Sequence, residues 1–138
     1  METVATKTLD EYIEMYEKHT KEKFEFNHSF SFFYNPEHGF CEYQVHDGNI
    51  YIYQMCGDLK YWISIAYDTC KKFGLKAIAS FIVRKPKPFI RRLGFRLVSA
   101  ENRKGEMQYI GRNKCGEKIV ATQFNDRFIL TWEVNHYG

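Results

Sequence analysis

Leu59, Trp62, Ile63, Ala66, Cys70 and Phe73 recur at helical spacing, and no other stretch of the chain repeats its apolar positions so regularly. This pattern predicts an amphipathic helix with one face on a core. Asp58 can accept a free amide at its start, and Gly74 can take the left-handed turn at its end. A second helix opens at Thr8-Leu-Asp-Glu11, a capping box, with Leu9, Tyr12, Ile13 and Tyr16 continuing at the same period for about four turns. From Ser29 the pattern changes to aromatic-rich runs, S-F-S-F-F-Y, H-G-F-C-E-Y-Q-V and N-I-Y-I-Y-Q, separated by Asn35-Pro36-Glu37 and by Asp47-Gly48. These predict an antiparallel meander of three strands, with Asp47-Gly48 as a tight turn needing positive φ. Residues 77–83 form a short apolar run without alternation, as expected of a strand covered on both faces. Strand, helix and buried strand make a β-α-β crossover. Pro86 and Pro88 open a short helix reaching Leu93, which Gly94 ends, and further strands follow at 95–99, 106–111, 118–124 and 127–134, with Asn125-Asp126 as a turn. The predicted class is α+β with a mixed sheet.

The chain has 138 residues, 44% of them hydrophobic and 17% aromatic, which is enough for one core and excludes disordered and collagen-like classes. One domain over residues 1–138 is expected. The N-terminus has no apolar targeting segment, and no window approaches a bilayer-spanning length, so a soluble, unexported, cytoplasmic protein is expected, without a membrane partner. Cys41, Cys56, Cys70 and Cys115 form no C-x-x-C pair, and His28, His38 and His46 fall in positions unsuited to shared coordination. Reduced thiols and no metal are the expectation.

Residues 49–95 resemble the core of the GCN5-related N-acetyltransferase (GNAT) family. There an aromatic strand leads into a pyrophosphate loop of pattern Q/R-x-x-G-x-G/A, then a long helix ending G-L-x-x-I, a buried strand, and a short helix closing on L-G-F. This chain supplies N-I-Y-I-Y-Q, Gln54-Met-Cys-Gly57-Asp-Leu59, Phe73-Gly74-Leu75-Lys76-Ala77-Ile78, Ala79 to Val83, and Phe89-Ile-Arg-Arg-Leu93-Gly94-Phe95. The resemblance implies a GNAT-like, mostly antiparallel sheet with a central β-α-β crossover and flanking helices. It also implies transfer of an acetyl group from acetyl-CoA to a small-molecule or protein amine. The cofactor would lie along Tyr53, Gln54, Met55, Cys56, Gly57, Asp58 and Leu59, with backbone amides and the following helix facing its pyrophosphate. On that reading a bulky residue at Gly57 blocks the cofactor and leaves the fold intact.

Leu59 stands where the family has its last small residue, and Ile90 stands where many members carry a tyrosine general acid. Tyr109, Tyr61 or Cys56 are alternative acids, and Glu42, His46 or Asp47 alternative bases; no spacing rule selects among them, so the catalytic residues stay open. The departures motivate a second reading from another class: a GNAT-like fold that has lost catalysis and serves as a binding or structural module, of the compact kind found among phage-related proteins.

Two charge and packing features complete the picture. Arg84, Lys85, Lys87, Arg91, Arg92, Arg96, Arg103 and Lys104 make the patch 84–104 the one charge asymmetry of a chain whose formal charge is only +3. It reads as a solvated face or as a contact for anions, either the adenosine 3′-phosphate of coenzyme A or a nucleic-acid backbone. The aromatic stripes at Phe30, Phe32, Phe33, Tyr51 and Tyr53 read as packing rather than as a base-stacking platform.

Overall fold

In the computed structural model, which describes residues 5–82 and 85–136, both faces of one large sheet carry helices. Helix α1 (Leu9–Thr20) opens with the capping box, Glu11 N–H donating to Thr8 Oγ1 and Thr8 N–H to Glu11 Oε1. It is shorter than expected at 12 residues, because Lys21 turns left-handed and the Glu17 carboxylate accepts the Phe24 amide, folding the chain back. Strands β1 (Ser31–Asn35), β2 (Gly39–His46) and β3 (Asn49–Gly57) form the antiparallel meander. Asp47 (φ 51) and Gly48 (φ 76) supply the pair of positive φ values that a two-residue hairpin turn requires.

Helix α2 (Leu59–Phe73) then crosses to β4 (Ala77–Ile82), capped by Asp58 and stopped by left-handed Gly74. Helix α3 (Pro86–Arg92) leads to β5 (Arg96–Arg103), β6 (Glu106–Arg112), β7 (Lys118–Phe124) and β8 (Arg127–Glu133). The sheet order is β1-β2-β3-β4-β8-β7-β6-β5, with β3 and β4 parallel and the other neighbours antiparallel. This is the α+β arrangement that the sequence predicted, a mixed and mostly antiparallel sheet with a central β-α-β crossover, in the same order of elements.

Two apolar clusters fix the helices. Phe40 and Cys41 are consecutive on β2 and therefore point to opposite faces. Phe40 packs with Tyr12, Tyr16 and Phe24 under α1, while Cys41 joins Ile50, Trp62, Ile78, Ile90, Ile119 and Leu130 under α2 and α3. Residues 77–83 were expected to be covered on both faces. Ala77 and Ile78 are, but Phe81 is 51% exposed, because α1 packs against β2 and β3 and the β4–β8 half is left open on that side. Val83 lies outside the described residues.

One buried carboxylate ties the C-terminal half together. Glu117, 3% exposed, accepts from Tyr67 OH (3.0 Å), Asn113 Nδ2 (2.7 Å), Trp132 Nε1 (3.3 Å) and Asn135 N–H (2.7 Å). Burial alone would raise its carboxyl, but the hydrogen bonds from Asn135, Asn113, Tyr67 and Trp132 outweigh it and hold it below the ordinary 4.5. The same burial and the bond to Glu117 push the Tyr67 phenol up to about 12. Replacing Glu117 with Gln is expected to cost about 2 kcal/mol near neutral pH, since donors made for a carboxylate lose acceptors. A depressed folded-state value gives stability that is fully present above the ordinary 4.5 and is lost as pH falls below it and through the lower folded-state value. Urea unfolding across a pH series should therefore show the gap between wild type and Glu117→Gln closing in acid.

Candidate functional site

The parallel pairing of β3 and β4 runs only from Asn49↔Ala77 to Ile52↔Ser80. Ser80 Oγ donates to the Ile52 carbonyl at 3.1 Å, the last tie between the two strands. At this point β3 carries an extra residue: Glu42 faces Gln54 and Tyr43 faces Ile52, so Tyr53 has no partner on β2. A bulge of this kind bends its strand and increases its twist. Past it, β3 follows β2 to Gly57, and β4 follows β8 through Phe81↔Ile129 and Ile82↔Phe128. The two strands diverge around a cavity of about 620 Å³. Beyond Ile52, β4 no longer pairs with β3.

Residues 53–57 and Leu59 form one wall, Ser80, Phe81, Ile82 and Phe89 the other, and α1 with residues 22–29 roofs the space. The roof is pinned from below. Gln54, 5% exposed, donates to the Glu25 carbonyl (2.6 Å) and to Glu42 Oε1 (3.0 Å), and accepts from Glu25 N–H; the fully buried Glu42 also accepts from Asn27 N–H (3.2 Å). At the far end Arg127 forms an ion pair with Glu22. Burial holds the phenol of Tyr16, on the roof, above the ordinary tyrosine range.

Of the residues expected to form a cofactor loop, all but Asp58 line the cavity. They do not form a loop. Gln54–Gly57 is the end of β3, and a single residue, Asp58, links it to α2. The helix therefore begins where expected, with Asp58 as its cap: Oδ1 accepts from Tyr61 N–H (3.2 Å) and Oδ2 lies 3.1 Å from His38 Nδ1. The His38 ring stacks on Tyr61 at 3.8 Å, and the His38 carbonyl accepts from Trp62 Nε1 (2.8 Å) and Asp58 N–H (2.8 Å).

The expectation for Gly57 requires correction. Its φ is +103, and a Cβ there would lie 2.4 Å from the His38 carbonyl oxygen; a Cβ on the facing Gly39 would lie 1.9 Å from the Cys56 oxygen. The missing side chain is used by the protein itself, to let two backbones touch.

The proposed acids and bases scatter. Cys56 lines the cavity; Tyr61 is held against His38, and Tyr109 packs with Phe128 beneath Lys87. His46 and Asp47 pair with each other at 3.1 Å at the hairpin turn, at the other end of β3 from the cavity. Glu42 is consumed by Gln54 and Asn27. Ile90 is fully buried, its Cγ2 2.9 Å from where a Cβ on Gly111 would sit, so this position points into the core and its neighbour Phe89 faces the cavity. His28, His38 and His46 occupy separate regions, the cavity roof, the start of α2 and the hairpin turn. What the sequence did not reveal is the roof, including His19, Glu22 and His28, and the distant Arg127. Residues 22–29 carry no periodicity, and an ion pair spanning 22 to 127 leaves no local signal.

No family model matches the chain, and no curated protein matches it in sequence. Among solved structures it is similar to the ribosomal-protein-S18-alanine N-acetyltransferase from Escherichia coli, with a TM-score of 0.47 and 12% identity over 100% of this chain and 97% of that one.

The Gly39–Gly57 contact makes a stability prediction. Gly57→Val is expected to destabilise the protein by about 2 kcal/mol or more, from left-handed strain added to a backbone clash. Asp58→Ala should cost only about 0.5–2 kcal/mol, the ordinary value of a lost cap. Urea denaturation of the two variants beside wild type measures both.

Proposed function

We propose that the chain is an N-acetyltransferase that moves an acetyl group from acetyl-CoA to an amine borne by a small molecule or a protein, acting in the cytoplasm. The observation that carries this reading is the divergence of β3 from β4 beyond Ile52, around a cavity of about 620 Å³ beside the start of α2. A strand edge of this kind binds an extended amide-containing chain as an added strand, which suits the pantetheine arm. Acetyl-CoA, when bound, supplies an acyl group already activated as a thioester.

The chain's own residues would do the rest. Met55, Phe81 and Phe89 exclude water from the gap, and the pinned roof orients whatever enters beneath it. His19 and His28 bring imidazoles to the cavity wall, the side-chain type most used to take a proton from an attacking amine. The fit is better for the pantetheine arm than for the diphosphate, since Asp58 already occupies the Tyr61 amide at the helix start. That carboxylate, with apolar Ile90 and Phe89 where an acid would stand, favours a second reading, a catalytically inactive binding or structural module, phage-related in type.

Calorimetric titration with acetyl-CoA separates the two. The enzyme reading expects micromolar binding, lost in Met55→Trp, whose indole would fill the gap, while the variant keeps a wild-type thermal melt. It also expects Asp58→Ala to bind more tightly at low salt, with a gain that shrinks as salt screens the removed charge. Wild type and Asp58→Ala that both fail to bind would leave the module reading.

A further inference from the structure

The fold divides the basic run of the sequence between two ends of the sheet. Lys85 and Lys87 at the start of α3, and Arg103 and Lys104 at the β5–β6 turn, lie toward the end where the cavity opens, while Arg84 is outside the described residues. Arg96 lies at the opposite end. There the register sets Arg96 against Arg112 and Arg112 against Lys118, on three neighbouring strands.

Residues paired in this way share a face, and strands stand about 4.8 Å apart, so three cations fall within roughly 10 Å. Gly111 and Ile119, which alternate with them, are buried on the side of α2 and α3, so the row projects from the side that carries no helix over this half. Lys114 is exposed in the adjoining β6–β7 turn. Neutralisation is slight. Lys118 lies 3.9 Å from Glu133, and among the described residues neither Arg96 nor Arg112 has an ion pair, although Arg112 Nη1 donates to the Gly116 carbonyl. Like charges placed directly opposite one another destabilise a sheet. Beyond those two contacts the row offers the fold only mutual repulsion, which an anion with regularly spaced charges would relieve.

We propose that Arg96, Arg112 and Lys118 form a docking row for the phosphate backbone of duplex nucleic acid, separate from the cavity and indifferent to sequence. Next to the row on the same face stand Ser99, Ile110 and Val120, which present no aromatic ring for an unpaired base to stack on. Contact is therefore made through phosphates alone, and it depends on salt through counterion release.

Fluorescence anisotropy with a labelled DNA duplex of about 20 base pairs and mixed sequence tests this between roughly 50 and roughly 200 mM salt. Wild type should bind, and Arg96→Gln/Arg112→Gln should bind at least about tenfold more weakly, with the slope of log affinity against log salt reduced by about 2. The double variant should keep a cooperative melt close to that of wild type, because removal of the repulsive pair offsets the lost bond from Arg112 to the Gly116 carbonyl. Lys85→Gln/Lys87→Gln, at the other end of the sheet, should keep wild-type affinity. Absence of duplex binding by wild type would overturn the proposal. So would equal losses in the two double variants, or tighter binding to the single strand or to anionic phospholipid vesicles than to the duplex.

Discussion

A parallel pair of strands that stops pairing halfway is the constraint on which this structure turns. Backbone amides and carbonyls removed from a sheet still require partners. By placing an extra residue at Tyr53, β3 bends away from β4 and leaves a row of such groups lining a cavity instead of a neighbouring strand. Other features serve that opening. Ser80 holds the two strands together just before it, Gln54 and Glu42 use buried polar atoms to hang residues 25–27 above it, and α2 starts one residue after the bent strand ends.

The junction at that helix start is unusually crowded. Gly39 and Gly57 bring two backbones into contact, and His38, one residue before Gly39, sends its carbonyl to both the Asp58 amide and the Trp62 indole while its ring lies on Tyr61. The first turn of α2 is thus locked onto the start of β2. The position of that turn is fixed by the core, because Trp62 is buried.

How much of this was legible beforehand depended on sequence distance. The helices, the meander and the crossover follow from local spacing and caps, and the order strand, glycine, helix across residues 53–59 is local too. Three things escaped. The strand character of Met55–Gly57 depends on pairing with β2, which periodicity within β3 does not report. The role of Gly57 depends on the His38 carbonyl, 19 residues earlier in the chain, so a glycine demanded by packing looked like one demanded by a ligand. The roof depends on Glu22 meeting Arg127, a contact between nearly opposite ends of the chain.

The position of β8 bears on how the molecule is assembled. The last strand of the chain lies in the middle of the sheet, between β4 and β7, and it alone joins the β1–β4 half to the β5–β7 half. As the polypeptide emerges, β4 must wait as an open edge while more than forty residues follow, from Ile82 to Arg127, before its partner exists. An exposed edge of that sort recruits other chains, so the interval before β8 arrives is the vulnerable one for this protein during synthesis. Arg127, the first residue of β8, also holds the cavity roof through Glu22, so the final strand closes the sheet and completes the cavity in the same event.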